Sequence, residues 1–257
     1  MLESVTVFVA LMLGGIVHFT AGFGSALVAM PILTLAIEPR VAAPLQSAVG
    51  LSVSALIFYQ HRESWLWRET LPIIAFSILG VPFGTYALVY FPQPVVLAAL
   101  GLVLVAYAVF ELTGVAGRVA AHSGPLRRDR FHIGSSVAGF LSGVFGAAYA
   151  TNGPPVIVYG SLRAWPKREF KSALQSVFLV NGVFIVLWQS SAGLFTRNVG
   201  WYALFAVPGL ATGAFIGHRI DRRLDHSRFR RYVLALILLL GVVLLMRSAT
   251  SAAWPRS

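Results

Sequence analysis

The stretch that determines the fold is AYATNGPPVIVYG, which runs from Ala148 to Gly160. It lies inside a long apolar segment, yet its centre reads Thr-Asn-Gly-Pro-Pro at positions 151–155. α-Helices tolerate proline and glycine least in their interior, because proline lacks the backbone N–H group and glycine loses the most conformational entropy. The stretch therefore predicts an interruption in the middle of an apolar segment.

The composition indicates an integral membrane protein. Of the 257 residues, 57% are hydrophobic and only 11% are charged, whereas soluble domains carry about 25% charged residues. The formal net charge is +11, but the basic residues lie in short loops, as they do on the cytoplasmic side of membrane proteins. We therefore expect a lipid bilayer as partner and no nucleic acid. The absence of cysteine excludes disulfides, thiolate chemistry and cysteine metal sites.

A membrane-spanning helix needs about 20 mostly apolar residues, and the chain offers eight apolar segments. Six have ordinary spanning length, whereas the first and the fifth are too long for one simple helix and are interrupted. The first is interrupted at TAGFGSALVAMP, positions 20–31, and the fifth at the stretch quoted above. The segments cover residues 4–37, 42–60, 70–90, 94–113, 132–162, 171–191, 199–218 and 230–247.

An internal repeat divides the chain into two halves. LQS lies near the start of a segment at Leu45 and again at Leu174, an offset of 129 residues. At the same offset, Gly80 and Gly84 meet Gly209 and Gly213, a small-xxx-small spacing that predicts close helix packing. We expect a first transmembrane repeat over 1–115, a cytoplasmic linker over 116–131 and a second repeat over 132–250.

The distribution of positive charge predicts that the repeats are inverted. The loops after segments 2, 4, 5 and 7 carry most of the basic residues, which places them in the cytoplasm. Segment 5 must then enter and leave at one face, as a re-entrant hairpin or as two short spans. The repeat predicts the same for segment 1 from the outer face. The sequence thus predicts an all-α polytopic fold with inverted repeats, as in many secondary transporters. The alternative of eight plain spans leaves strongly basic loops outside.

The two interruptions are the predicted binding site. Non-helical backbone at membrane depth is tolerated only within protein or along a water-filled cavity, and the N-terminus of the following helix favours an anion. Pro154 and Pro155 suit the first turn of such a helix, and Thr151 or Asn152 is expected to cap it. The alternative is that the interruptions are kinks packed by neighbouring helices.

All nine acidic residues lie in loops or near segment ends. Carboxylates inside membranes are common devices for binding cations, so the sequence favours an anionic or neutral substrate. The amides of Gln46 and Gln175, at repeat-related positions, are expected to donate to the anion or else to join helices. His18 is a candidate for proton coupling, with a simple hydrogen-bonding role as the alternative. The candidate substrate-binding residues are Thr20, Gly22, Gly24, Ser25, Gln46, Ser47, Tyr149, Thr151, Asn152, Gly153, Gln175 and Ser176.

Enzyme motifs are absent from the sequence. No spacing of His and carboxylate residues fits a metal site, and no phosphate-binding loop is followed by Lys. We therefore expect neither enzymatic activity, nor a cofactor, nor a metal.

Two motifs resemble the TauE/SafE family of transmembrane proteins, described as sulfite or organosulfonate exporters. They are AGFGSALVAMPIL, from residue 21, and GAAYATNGPPVIVYGSLRAWPKREFKSALQSVFL, from residue 146. The resemblance extends in layout over about residues 5–247. One departure is Ser25, which stands where many members continue a glycine run, and the family is functionally mixed.

The resemblance implies transport of a small sulfur-containing anion such as sulfite or an organosulfonate. We expect a secondary transporter, an exporter, that binds this anion near the membrane midplane between the two broken helices. The alternatives are an anion channel of the same architecture and a membrane assembly factor without transport. We expect a multi-pass protein of the inner (cell) membrane, and the sequence is compatible with a homodimer.

Overall fold

The computed structural model describes residues 2–21, 23–61, 66–115, 133–221 and 226–253. Within these ranges all regular structure is α-helical and no strand occurs, which confirms the all-α prediction. Gly22 and the predicted linker 116–131 lie outside the described residues. The ten helices in the described ranges are α1 Leu2–Ala21, α2 Ser25–Ala36, α3 Pro39–His61, α4 Trp67–Tyr90, α5 Gln93–Thr113, α6 Ile133–Tyr149, α7 Gly153–Leu162, α8 Lys167–Ser191, α9 Arg197–Asp221 and α10 His226–Ala253.

Seven of these helices are long and apolar enough to cross a membrane, namely α1, α3, α4, α5, α8, α9 and α10. Large apolar side chains cover their outer surfaces: on α4, Leu79 is 58% exposed and Phe83 is 61% exposed. Such surfaces are unfavourable in water but suit lipid. The chain is therefore a multi-pass membrane protein.

Six of the predicted segments correspond to one helix each, whereas the first and fifth each contain two helices. In the first segment, α1 ends at Ala21 and α2 begins at Ser25; in the fifth, residues 150–152 separate α6 from α7. At a rise of about 1.5 Å per residue, the 12 residues of α2 and the 10 residues of α7 are too short to cross a bilayer alone.

The described residues fall into two compact units. Unit 1 comprises Met1–Gln46, Ala87–Thr113 and Leu194–Ser257. Its α1 and α9 run parallel, because a methyl group at Gly209 would lie 2.5 Å from the Phe8 carbonyl oxygen and one at Gly217 would lie 2.9 Å from that of Ile16. These glycines allow the two backbones to approach closely, which confirms the predicted close-packing face on α9.

Two further helices of unit 1, α5 and α10, run antiparallel. A methyl group at Gly101 would lie 2.8 Å from the Gly241 carbonyl oxygen. The Ser248 hydroxyl donates to the Pro94 carbonyl oxygen at 2.9 Å, and at the other end of the pair Arg230 contacts Glu111. The end of α10 also contacts the end of α2, since Arg247 Nη1 donates to the Thr34 carbonyl oxygen at 2.8 Å.

Unit 2 comprises Ser47–Tyr86 and Gly114–Gly193. Its α4 and α6 run parallel and are packed through glycines, so that an added methyl group would overlap a carbonyl oxygen of the opposite helix. These contacts confirm the predicted close-packing face on α4. The pairs, glycine first, are Gly139 with Ile73, Gly143 with Ser77, Gly80 with Phe140, and Gly84 with Val144.

Candidate functional site

The end of α6 is defined by a residue in the left-handed conformation. Ala150 has φ 53°, which is unfavourable for a residue with a Cβ atom and is usually adopted by glycine. The helix end is nevertheless hydrogen-bonded: the Ala150 N–H donates to Gly146 at 2.8 Å, and the Thr151 N–H donates to Phe145 at 3.3 Å. The chain therefore reverses through Ala150 without leaving the carbonyl groups of Phe145 and Gly146 unpaired.

The helix cap that the sequence predicts at the start of α7 does not form. Asn152 occupies the N-cap position, but its side chain makes no capping hydrogen bond. An N-cap side chain accepts from the N–H groups of the second and third helical residues, and those residues here are Pro154 and Pro155, which have no N–H group. The prediction that Thr151 or Asn152 caps α7 was therefore wrong.

The same prolines reduce the number of backbone donors at this helix start. A helix normally leaves four N–H groups without an intrahelical partner. At the start of α7 two of these four positions are prolines. Only Asn152 and Gly153 therefore provide an N–H group that lacks an intrahelical partner. The side chain of Asn152, which is half-buried, is left without a partner in its own helix.

A cluster of polar side chains surrounds this reversal of the chain. The Ser142 hydroxyl on α6 donates to the Asn152 carbonyl oxygen at 2.8 Å. Asn181 on α8 donates through Nδ2 to the Ser142 carbonyl oxygen at 3.5 Å. A Cβ atom at Gly146 would lie 3.0 Å from Asn152 Cβ and 3.4 Å from Asn181 Nδ2. The two asparagines thus face the same glycine, and we call the group of Ser142, Asn152 and Asn181 the amide cluster.

A buried polar atom without a partner lies beside this reversal. Asn181 is fully buried, and within the described ranges its Oδ1 atom has no hydrogen-bond partner. Buried polar groups are rarely left unpaired in native proteins. One turn further along α8 the surroundings become apolar, where Ile185 packs with Val81 and Ala147. Beyond this apolar contact, α8 carries a second buried amide, Gln189.

The start of α6 and the end of α7 both lie beside the N-terminal end of α4. Gly139, near the start of α6, lies against Ile73 near the start of α4. Arg163, immediately after α7, contacts Glu69 at the start of α4, with Nη2 2.9 Å from Oε2. In unit 2, α6 and α7 therefore form a hairpin whose two ends lie beside the N-terminal end of α4.

The interruption in unit 1 has a different set of donors. Gly24 precedes α2 with φ 95° and offers no side chain to cap it. The first-turn N–H groups of Ser25, Ala26 and Leu27 are all present, and a helix start leaves them without intrahelical partners. Gln46 donates through Nε2 to the Ser25 hydroxyl at 3.4 Å. Gln46 is buried, and its Oε1 atom has no partner within the part of the chain that the structure describes.

The remaining candidate residues are buried, but their hydroxyl groups mostly bond to backbone nearby. In unit 1, Thr20 donates to the Ile16 carbonyl oxygen at 2.7 Å, and His18 lies 4% exposed with its ring beside Phe19. In unit 2, Ser176 donates to Ala173 within α8 at 2.8 Å, and Thr151 donates to Phe145 at 3.5 Å. Ser47, Tyr149 and Gln175 are buried in unit 2.

The described residues contain no group of three or more His, Cys, Asp or Glu residues that could hold a metal ion. The polar atoms at the two interruptions are neutral amides, hydroxyls and backbone groups.

The model of the sulfite exporter TauE/SafE family matches residues 7–244, which include both interruptions and all ten helices at least in part. The chain belongs to this family. Comparisons with curated proteins and with solved structures gave no match.

TauE/SafE membership implies a membrane transporter of the sulfite-exporter type, with a small-molecule substrate and a lipid bilayer as surroundings. The candidate residues predicted from the sequence did not include Ser142 and Asn181. The signal that could have identified Asn181 is its position, because an amide in the middle of a long apolar helix is unfavourable unless it has a specific partner.

Proposed function

We propose that this TauE/SafE protein is a secondary transporter that exports a small sulfur-containing anion such as sulfite or an organosulfonate, and that the amide cluster binds it. The observation that carries the proposal is the α6–α7 hairpin, which returns to the start of α4 and places Asn152 at its reversal, beside the buried and partly unpaired amide of Asn181 on α8. Irregular backbone at membrane depth that holds unpaired polar groups is typical of transporter binding sites.

The chemistry of the hairpin supports an anion. The N–H groups of Asn152 and Gly153 are backbone donors at the positive end of α7, and the uncapped Asn152 side chain adds a further donor. No acidic residue occurs anywhere in α6 or α7. A small oxyanion could therefore accept several hydrogen bonds here without facing a carboxylate. Thr151 and Tyr149, which flank Ala150, are proposed to shape the same site.

A second set of donors is proposed to act in unit 1. The first-turn N–H groups of α2, which have no intrahelical partner, the left-handed Gly24 and the Gln46–Ser25 contact form this set. We include Thr20, Gly22, Ser47, Gln175 and Ser176 in the proposal as residues whose substitution should be tested.

We propose that the two repeats are inverted, as the charge distribution predicts, and that the α6–α7 hairpin enters the membrane from the cytoplasmic face. In unit 2, Arg163 after α7 contacts Glu69 at the N-terminal end of α4. The positive-inside rule assigns the Arg163 end to the cytoplasm.

The absence of cysteine makes this topology directly testable. Single cysteines at the exposed positions Val115, Ala164 and Ala192 would be labelled with an impermeant maleimide in whole cells and in inverted vesicles. We expect Val115 and Ala164 to react from the cytoplasmic side and Ala192 from the outer side. Reaction of Val115 and Ala164 from opposite sides would mean that segment 5 crosses the membrane once.

Transport is tested with purified protein in proteoliposomes. We expect saturable uptake of labelled sulfite, with counterflow when the vesicles contain unlabelled sulfite. Asn152→Ala should lower uptake by at least tenfold, whereas Asn198→Ala, at an exposed asparagine of α9, should leave it unchanged. Uptake that neither saturates nor shows counterflow would indicate a channel. A folded protein that moves none of the sulfur anions would exclude the proposal.

Three further properties belong to the proposal. His18 is proposed to couple protons, so His18→Gln should abolish uptake driven by a pH gradient while leaving counterflow intact. Location in the inner membrane is tested by membrane fractionation, and a homodimer by cross-linking of the protein in its native membrane. Unaltered pH-driven uptake in the His18 variant would exclude this residue as the coupling group.

A further inference from the structure

Two buried amides of α8 face α6 in the same orientation. Asn181 Nδ2 donates to the Ser142 carbonyl oxygen at 3.5 Å, and Gln189 Nε2 donates to the Ala147 carbonyl oxygen at 2.9 Å. Because two carbonyl oxygens repel each other, the NH2 group of each amide must be the end that faces α6. The oxygen of each amide is therefore the end that does not face α6. Within the described residues, neither Asn181 Oδ1 nor Gln189 Oε1 has a hydrogen-bond partner.

The two amides differ in their position relative to the reversal of the chain. Asn181 faces Gly146 together with Asn152, as the 3.4 Å and 3.0 Å approaches to a Gly146 Cβ position show. Gln189 lies two turns further along α8, about 12 Å away at the rise of an α-helix. Asn181 is thus the amide that belongs to the proposed site. Gln189 is an amide with the same kind of contact to α6 that lies outside the site.

The site therefore contains an acceptor as well as donors. The N–H groups of Asn152 and Gly153 and the Asn152 side chain can donate to the oxygens of an anion. Asn181 Oδ1 can only accept, and it is fully buried. A dianion such as sulfate offers this atom only oxygens that accept hydrogen bonds, so its lone pairs would face those of the ligand.

We propose that the anion bound at the amide cluster carries its own hydrogen-bond donor, which Asn181 Oδ1 accepts. This inference rests on the proposed function and specifies its substrate class. The protonated form of sulfite, HO–SO2⁻, fits because its two terminal oxygens accept while its hydroxyl donates. A short sulfonate that bears a hydroxyl group offers the same combination. Asn181 is then a specificity-determining residue, since it discriminates these ions from sulfate and from simple alkyl sulfonates.

The experiment uses the full chain in detergent and measures displacement of labelled sulfite at one mildly acidic pH, where sulfite is mostly protonated. Two matched pairs of competitors are compared. The first is unlabelled hydrogen sulfite against methanesulfinate, in which a methyl group replaces the hydroxyl. The second is 2-hydroxyethanesulfonate against propanesulfonate. The two pairs separate inorganic sulfite from organosulfonates as the source of the donor.

For the unmodified protein we expect the hydroxyl-bearing member of at least one pair to bind roughly 5- to 100-fold more tightly, the range for leaving one buried polar group unpaired. Asn181→Leu should reduce this ratio to about one. Asn181→Ser, which keeps a hydroxyl acceptor in a smaller side chain, should retain part of it. Gln189→Leu removes an equivalent buried amide from the same helix and should leave the ratio unchanged.

The outcomes separate the two proposals. Tight sulfite binding without preference within either pair would overturn the role of Asn181 but leave the transporter proposal standing. The same preference in Asn181→Leu, or its loss in Gln189→Leu as well, would also overturn that role. Sulfite binding that depends on sodium and shows no preference for the hydroxyl would mean that Asn181 Oδ1 binds a cation. Failure of every sulfur anion to bind the folded protein would overturn both proposals.

Discussion

Arg163 contacts both carboxylate oxygens of Glu69, with Nη2 3.0 Å from Oε1 and 2.9 Å from Oε2. The Arg163 side chain is only 11% exposed and that of Glu69 is 32% exposed, so the pair is shielded from water. It joins the end of the α6–α7 hairpin to the start of α4. This contact therefore maintains the two ends of the hairpin beside the same end of a spanning helix.

We predict that Glu69→Gln lowers the free energy of unfolding by about 1–3 kcal/mol, the usual contribution of a hydrogen bond to a charged group. The measurement is the apparent melting temperature in detergent. Glu38→Gln removes a carboxylate from an exposed position and should have little effect. In the double variant Glu69→Gln/Arg163→Gln the two losses should not add, because both substitutions break one interaction. Additive losses would show that the pair contributes nothing.

The glycines between α4 and α6 should tolerate no side chain. A methyl group at Gly84 would overlap the Val144 carbonyl oxygen, which belongs to the backbone and cannot move aside easily. We predict that Gly84→Ala destabilises the protein by about 1–3 kcal/mol, as overpacking does elsewhere. Gly50→Ala is the matched control within α3, since nothing lies within 4 Å of an added Cβ there. Equal melting temperatures for the two variants would contradict the close approach.

The left-handed conformation of Ala150 predicts a stabilising substitution. Glycine adopts this conformation without the steric cost that a Cβ atom imposes. Ala150→Gly should therefore raise the free energy of unfolding by about 0.5–1 kcal/mol. Ala148→Gly, two residues earlier in helical and buried backbone, should lower it by about 1 kcal/mol. Opposite shifts of the melting temperature would check this prediction, and a loss of stability in both variants would contradict it.

Restoring a backbone donor at the start of α7 should divert Asn152 from its proposed role in substrate binding. Pro155→Ala supplies the N–H group that an N-cap side chain accepts, and such a cap contributes about 1 kcal/mol. We predict a roughly fivefold fall in sulfite uptake, the equivalent of that energy. Asn152→Ala should then lower uptake much less in the Pro155→Ala background than in the unmodified protein.

Pro166→Ala, at an exposed proline before α8, is the control for loss of a proline and should leave uptake unchanged. If Asn152→Ala lowers uptake by the same factor in both backgrounds, the added N–H group does not engage Asn152.

Much of the helix layout could be predicted from the sequence because it depends on patterns that are local in the chain. Runs of apolar residues indicated the spans, and the cluster of Gly153, Pro154 and Pro155 marked the start of α7 correctly. The glycine spacing on α4 and α9 predicted close packing, since only glycine allows two backbones to approach so closely. Family motifs around the two interruptions indicated the TauE/SafE family, which the match over residues 7–244 confirms.

The details of the candidate site could not be predicted in the same way. The role of Asn181 depends on which face of α8 meets α6, and apolar residues surround that position on both sides in the sequence. Asn152 was expected to cap its helix because asparagine commonly does so, but the two prolines that follow remove the donors it would need. Helix propensities describe one residue at a time, whereas this outcome depends on three residues together.

The paired prolines of α7 also have a kinetic consequence. A transporter must release its cargo in every cycle, so a site that binds an ion too tightly becomes a trap with slow turnover. At the proposed site, Pro154 and Pro155 remove two of the four N–H groups that a helix start normally offers, which would limit how strongly the backbone holds an anion. Replacing the two prolines one at a time would restore these donors stepwise, and each step should raise the affinity for the anion and lower the turnover rate. A variant that binds tightly and turns over slowly would be suited to determining the structure of the anion-bound state.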